Sequence, residues 1–553
     1  MCLLLAVIVF SGCAPKALPE ETTTAPEVSG AAVDSQTEPV SLEPVLTEQA
    51  LSEIKALGES PDDNYRIYYE IFVYSFCDSD GNGIGDLRGV ISKLDYLESL
   101  GITGIWLMPI HPSTTYHKYN VSDYYDIDPA YGTMEDMDAL LAECESRGIR
   151  VILDLVLNHT GSAHPWFQAA ADYLRELGDG EPDPAECPYL DYYFFIREPK
   201  NGYTKVPGTG WYYESQFSPD MPDLNLGSTA VREEIEKIVR FWLEKGVAGF
   251  RLDAAKEFYS GSAEKNMEVL SWIQETVTGI REDAYLVAEV WDSFHNITTY
   301  YESGITSIFD YPFGDSGGKI VTVLRNAGNP GMVSTYATAL EKANKTYSGK
   351  NPGYIDAPFL SNHDVGRAAG FCGGDELKTK LAGAMNLFMS GSAFIYYGEE
   401  IGMVGSGNDP SKRAPMYWND ARDQGTTAPP PDCTLPESYS FGSLEEQERD
   451  DGSVYNYYRQ AIAIRNAIPA ISHGVTTAET ALNTGCVSAF RKSWDAGECI
   501  ILMNIDTAAA QVDLTDYAQW TLGAKLSANG EPVTLEGTTL SLPPFAVAVL
   551  TTK

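Results

Sequence analysis

Arg251 and Asp253 stand two residues apart in the stretch Gly249 to Glu257, GFRLDAAKE, within an apolar run that includes Val247, Ala248, Phe250 and Leu252. In an extended strand, residues at i and i+2 share a face, so both charges point the same way. Charges on the inner face of a buried strand are costly unless they are paired or put to use. A structural ion pair closing a strand is one outcome, and a site for acid and base chemistry is the other. Three further runs weigh toward chemistry. DLVLNH (Asp154 to His159), AEVW (Ala288 to Trp291) and FLSNHD (Phe359 to Asp364) each bring a carboxylate, and two of them a histidine, to an apolar strand end. Four such strands, far apart in sequence, describe a site assembled from loops on one face of a barrel.

The elements that must position these groups alternate in type. Ile67 to Tyr74 reads as a β-rich run, Leu87 to Leu100 as a helix, Gly104 to Pro109 as a strand and Met134 to Arg147 as a helix. Strands follow at Val151 to Leu155, Gly249 to Leu252, Tyr285 to Glu289, Thr306 to Phe309, Ala357 to Leu360 and Ala393 to Tyr397, most of them separated by helical patterns. Eight strands alternating with helices predict an α/β fold, a (β/α)₈ TIM barrel, whose chemistry sits at the carboxyl ends of the strands. The connection after the third strand is too long for a loop, so an inserted subdomain is expected at about 160–225. Past Ala470 the pattern becomes short alternating strands, which predicts a C-terminal all-β domain, a β-sandwich, over 471–553. The catalytic barrel is expected to span 61–470.

Composition narrows the ligand. A formal net charge of −40 argues against nucleic acid or an anionic bilayer surface as a partner. A neutral or cationic ligand remains, and the 33 tyrosines suit stacking on sugar rings as well as ordinary cores. The opening run CLLLAVIVFSGC is too short to cross a bilayer and ends in small residues before Cys13. It resembles a bacterial lipoprotein signal cut before Cys13, whose thiol would be lipidated; an ordinary secretory signal is the alternative, and both place the mature protein outside the cytoplasm. Residues 14–60, rich in Thr, Glu, Pro, Ser and Ala, read as a disordered tether holding the folded part off the membrane. Nine cysteines without CxxC spacing give no support to a zinc site. Removing Cys2 and Cys13 leaves seven, an odd number that requires a free thiol.

From about Asp62 onward the chain resembles the α-amylase family, glycoside hydrolase family 13. The motifs DLVLNH, MPDLN (Met221 to Asn225), GFRLDAAKE, EVW, FLSNHD and GSAFIYYGEE (Gly391 to Glu400) occur in the family's order. MPDLN is similar to the form found between the oligo-1,6-glucosidase and neopullulanase branches. The resemblance implies a retaining α-glucan hydrolase with Asp253 as nucleophile, Glu289 as general acid/base and Asp364 as the third carboxylate, binding sugar hydroxyls. Arg251 would keep Asp253 ionised. His159 and His363 would donate to sugar hydroxyls. In YHKY (Tyr116 to Tyr119), His117 would bind a hydroxyl and Tyr119 would stack beneath the ring. Asn120, where exo-acting members usually carry Asp, together with His117 and Lys256, leans toward an endo-acting amylase.

The run DSDGNGIGD (Asp78 to Asp86) spaces oxygen ligands like the first nine positions of a calcium loop. Asp78, Asp80, Asn82, the Ile84 carbonyl and Asp86 are the candidates, with Gly83 making the turn. Gly89 stands where a bidentate Glu would close an EF-hand, and an Asp/Gly-rich turn is the alternative. The resemblance implies structural Ca²⁺ here. It leaves open a second site using Asn158, since Glu257 replaces the His of many amylases. Three readings compete: an α-1,4-glucan hydrolase acting on starch or maltooligosaccharides; a 4-α-glucanotransferase with the same covalent intermediate, or an α-glucosidase or neopullulanase of the same family; and a non-catalytic glucan-binding protein, which would typically have lost the acids this chain keeps.

Overall fold

The computed structural model describes residues 46–423, 425–436 and 438–552; the expected lipoprotein signal, Cys13 and the tether as far as residue 45 lie outside them. The last part of the expected tether, from residue 46 on, is folded. Leu46–Lys55 is a helix, joined to the folded body by Thr47 Oγ1 donating to Asp451 Oδ1 at 2.6 Å and by the Glu48–Arg459 ion pair at 2.8 Å. Leu51 and Ile54, at helical spacing, are buried beneath it. Composition masked this short apolar face among the polar residues around it.

Seven parallel strands form a curled sheet: β1 (Ile67–Ile71), β2 (Gly104–Leu107), β3 (Arg150–Leu155), β4 (Gly249–Leu252), β5 (Tyr285–Ala288), β6 (Ser307–Ile308) and β7 (Ala393–Tyr396), in the order β7-β1-β2-β3-β4-β5-β6. The eighth stave is the segment 355–360. Phe309 pairs with Ala357 on one side, and Ser392 and Phe394 donate to the carbonyls of Asp356 and Pro358, each at 2.8 Å, on the other. Pro358 has no N–H to give, so this stave falls short of the strand expected over Ala357 to Leu360. The barrel interior is filled by aromatic rings. Tyr68 stacks on Tyr285 and Phe394, and Trp106 packs on Phe309.

Two further expectations change in detail. The β-rich run from Ile67 breaks at Phe72 into the short helix Val73–Phe76, whose Val73 and Phe76 stay buried. Tertiary burial here overrides β propensity. The helix expected over Leu87 to Leu100 is divided at Lys93, yet Leu87, Val90, Leu94, Leu97 and Leu100 keep one buried stripe across the break. Gly249 opens β4 in a backbone state, φ 154°, with Tyr285 so close that a Cβ would sit 1.9 Å from its carbonyl oxygen. Only glycine fits there.

Between β3 and β4 the inserted segment carries helix Pro165–Leu177 and a three-stranded sheet of Phe195–Ile196, Tyr203–Lys205 and Tyr212–Glu214. The pairing of His159 with Asp223 clasps its two ends to each other, and Tyr193 in its middle pairs with Leu224. The chain ends in a five-stranded and a three-stranded antiparallel sheet. Ile500, Leu502 and Leu550 from one sheet and Val512 and Leu540 from the other share a buried core.

Candidate active site

The parallel register sets Asp154 of β3 beside Arg251 of β4, and the period of two then brings Asp253 to the same face. Arg251 Nη1 lies 2.8 Å from Asp154 Oδ1 and 2.6 Å from Asp253 Oδ1, while Nη2 lies 2.8 Å from Glu289 Oε2. One buried guanidinium thus joins the carboxylates of three successive strands. Its planar fork and permanent charge suit that work. Glu289 accepts a second bond on Oε2 from the Ala254 N–H at 2.9 Å, and Tyr311 OH approaches Oε1 at 3.3 Å.

Opposite them, Asp364 follows the eighth stave. Its Oδ1 pairs with Arg413 Nη2 at 2.8 Å and its Oδ2 with His363 Nε2 at 3.0 Å. His363 Nδ1 lies 2.5 Å from Glu70 Oε1, and its Nε2 also meets Tyr119 OH at 2.7 Å. Tyr119 OH in turn donates to Asp154 Oδ2 at 3.0 Å. The groups expected from sequence therefore converge: Asp253, Glu289, Asp364, Arg251, His363 and Tyr119 belong to one connected network. Glu70, Arg413 and Tyr311 complete it without having been anticipated. An acid inside the apolar run IYYEIFVY was a usable signal for Glu70. Arg413 and Tyr311 lie in connections with no such mark.

Electrostatics divides the site. Burial raises the carboxyls of Asp253 and Glu289 above their ordinary range, with Arg251 opposing it in both. Burial also acts on Asp364, but His363 and Arg413 outweigh it and hold that carboxylate well below the usual value. His363 shows the mirror effect: burial lowers it, yet Asp364 and Glu70 prevail and lift it to about 10. It is an imidazolium at neutral pH, with both ring nitrogens already committed to protein partners. A sugar hydroxyl accepting from His363, the role expected for it, would share Nε2 with Asp364. His117 and His159 are the neutral pair, each pushed down to about 4 chiefly by burial. A neutral imidazole can donate from one nitrogen and accept at the other.

Around the mouth, Lys256 Nζ donates to the Trp291 carbonyl at 2.8 Å, tying the loops after β4 and β5. The Trp291 indole is exposed and stacks on Tyr311 at 5.3 Å, and exposed Phe217 leans toward His159. Asn158 Nδ2 donates to Asp223 Oδ1 at 3.2 Å, fastening the inserted segment.

The calcium candidate lies in the loop after helix Val73–Phe76. Carboxylate oxygens of Asp78, Asp80 and Asp86 come within 4.8 Å of one another, the only such group of three metal-capable side chains among the described residues. Asp78 accepts the N–H groups of Asp80, Gly81 and Gly83, and Asn82 Oδ1 that of Ile84, so the turn is held open around the acids. Hard, anionic oxygens at this spacing fit Ca²⁺. A twelfth-position carboxylate is sterically barred, because a Cβ on Gly89 would meet the Cys77 carbonyl oxygen at 1.9 Å. All seven described cysteines carry free thiols.

A pair of buried carboxylates bridged by arginine at the carboxyl ends of barrel strands, with a third acid facing them, defines a barrel enzyme built for acid-assisted displacement. The family model "Alpha amylase, catalytic domain" matches residues 70–474. Alpha-amylase 3 of Dictyoglomus thermophilum is 43% identical over 414 residues, 74% of this chain and 78% of the relative. The oligo-1,6-glucosidase of Parageobacillus thermoglucosidasius is 30% identical over 487 residues, 74% and 84% of the two chains. The solved structure of Eubacterium rectale Amy13B superposes with a TM-score of 0.88 at 43% identity, covering 92% of this chain and 99% of that one. The chain belongs to the α-amylase family, glycoside hydrolase family 13, and is a glycoside hydrolase with that family's TIM barrel and C-terminal β domain.

Proposed function

We propose that the chain cleaves α-1,4-glucosidic bonds of starch or maltooligosaccharides with retention, by two successive displacements. The observation that carries this reading is the Arg251 bridge, which holds Asp253 and Glu289 side by side at the carboxyl ends of β4 and β5. Retaining chemistry needs its two carboxyl groups roughly 5–5.5 Å apart, and sharing one guanidinium keeps them at that order of separation. Asp253 attacks the anomeric carbon as Glu289 gives its proton to the departing glycosidic oxygen. The glycosyl ester with Asp253 is then cleaved by water, whose proton returns to Glu289.

Asp364, held ionised by His363 and Arg413, binds ring hydroxyls and favours the flattened, positively charged transition state. Neutral His117 and His159 supply hydrogen bonds beside it, and Tyr119 supports the sugar in the reacting subsite. Ca²⁺ bound by Asp78, Asp80, Asn82, the Ile84 carbonyl and Asp86 would brace the loop between the helices Val73–Phe76 and Leu87–Ser92. The apolar run ending at Cys13 supports export and lipid attachment there; metabolic labelling with palmitate, abolished by Cys13→Ala, tests it.

The decisive experiment is Asp253→Asn assayed on maltoheptaose with product chromatography. Turnover should fall by more than about 10³-fold while the fold is retained; near-normal turnover refutes the assignment. In the parent, glucose and short maltodextrins indicate hydrolysis, whereas chains longer than the substrate would indicate glycosyl transfer.

A further inference from the structure

Lys118 lies between His117 and Tyr119, and its backbone is in the left-handed region, φ 65°. A residue with a Cβ holds that conformation only when its surroundings impose it. Glycine would adopt it freely, so the side chain must have a use. It is buried, and Nζ sits 2.7 Å from Asp128 Oδ2 and 5.3 Å from the centre of the Tyr131 ring. Asp128 is buried too, and it is bolted to the chain leaving β2. Its Oδ2 accepts the Ser113 N–H at 3.1 Å, its Oδ1 the Ala130 N–H at 2.9 Å, and its own N–H donates to the Ile110 carbonyl at 2.8 Å.

The ion pair therefore ties the loop to the chain leaving β2. In front, Tyr119 N donates to His117 Nδ1 at 3.2 Å, and the Tyr119 hydroxyl reaches Asp154 and His363. Ser113 pairs with Val121, and Ser122 N donates to the Pro112 carbonyl at 2.9 Å, so the loop is closed at its base. Within the tip the backbone makes one further bond, from Lys118 N to the Thr115 carbonyl at 3.3 Å.

We propose that Lys118, anchored by Asp128, is a positioning residue for the glycosidic reaction: the buried pair locks the left-handed turn that makes His117 and Tyr119 face the reacting subsite together. The proposal rests on the pocket assignment given under Proposed function. Neither side chain touches substrate. The pair acts through the two residues that do, and a displacement of order 1 Å there costs about 10²-fold in rate.

The test measures kcat and KM on maltoheptaose, affinity for maltoheptaose by calorimetry, and Tm, for Lys118→Met, Lys118→Gly, Asp128→Asn and the double variant K118M/D128N. At a temperature well below every Tm, each single variant should lose about 10- to 100-fold in kcat/KM, shared between a lower kcat and about tenfold weaker binding of maltoheptaose. The double variant should lose no more than either single, because the pair acts as a unit. Lys118→Arg should recover most of the activity. Parent-like kcat in Lys118→Gly would show that the turn alone suffices and overturn the proposal. So would a lowered Tm with unchanged kcat in Lys118→Met, the signature of a merely structural ion pair. Should Lys118→Met not fold, Asp128→Glu, which keeps the charge but lengthens the arm, should still lower kcat several-fold at an unchanged fold, and parent-like kcat overturns the idea. Asp253→Asn is run alongside. If the parent hydrolyses no maltoheptaose, the pocket's assigned chemistry fails, and the pair is then judged by affinity alone, with tenfold weaker binding in Lys118→Met expected and equal binding refuting it.

Discussion

The peptide N–H of Ala254, next in the chain to Asp253, donates to Glu289 Oε2 at 2.9 Å. Ala254 has φ 46°, a left-handed turn for a residue with a side chain. The bend that ends β4 therefore orients the carboxylate it carries and also aims a donor at the carboxyl group of the next strand. Since Arg251 Nη2 is on the same oxygen, Oε2 is saturated with donors, and Oε1, approached by the Tyr311 hydroxyl at 3.3 Å, is the atom left to hold a transferable proton.

Glu289→Gln should reduce kcat/KM on maltoheptaose by about 10²- to 10⁴-fold, the range that general acid catalysis supplies. An activated aryl α-maltoside, whose leaving group needs no proton, should lose much less. Equal losses on both substrates would remove Glu289 from the acid role.

The raised Glu289 carboxyl also fixes a sign. Its folded pKa lies above the ordinary 4.5 because burial disfavours the charged form. The native protein then binds more protons than the unfolded chain above pH 4.5, so this group costs stability as pH rises through that window. Glu289→Gln, with Arg251 still paired to Asp154 and Asp253, should raise Tm at pH 7 by a few degrees, and the gain should vanish below pH 4.5. Melting curves at pH 4 and 7 decide it.

Glu70→Gln reads the opposite case. His363, lifted from 6.5 to about 10 by Asp364 and Glu70 against the effect of burial, contributes stability that is fully present below pH 6.5 and is lost as pH rises through 10. Burial also raises the Glu70 carboxyl, so the variant sheds a desolvation cost as well as a partner, and the net loss should fall below about 3–5 kcal/mol, the cost of breaking a buried pair. The loss in the variant should be largest at pH 6 and shrink toward pH 10 in urea titrations. A pH-independent difference would mean that His363 is not charged.

Chelation of divalent metal should lower Tm, and added Ca²⁺ should restore it, by about 2.7 kcal/mol at a hundredfold excess over the dissociation constant. The double variant Asp78→Asn with Asp80→Asn should melt at one temperature with or without Ca²⁺. If the parent binds no Ca²⁺ in calorimetry, the acids at 78, 80 and 86 serve only the turn.

Much of this was visible in the residues themselves. Apolar runs with acids at their ends located β3, β4 and β5, because a parallel strand buried on both faces tolerates charge only at its carboxyl end or in a pair. The alternation of two put Arg251 with Asp253, and the register with β3 added Asp154, a contact no single stretch reveals. Arg413 was invisible because nothing about its loop fixes which distant acid it meets. The opposite states of His363 and His117 were equally hidden: both sit beside a motif, and only the third dimension shows Glu70 behind one of them and no acid bonded to the other. The helix at Leu46–Lys55 was lost because its neighbours in sequence resemble solvated chain.

The stave containing Pro358 has mechanical meaning. It is held to its neighbours outside any regular strand, through the backbone of Asp356, Ala357 and Pro358, and it leads directly into His363 and Asp364. A saccharide gripped at once by Asp253 and Asp364 would act as a rivet across the cylinder, fastening this plank to the one that carries Asp253.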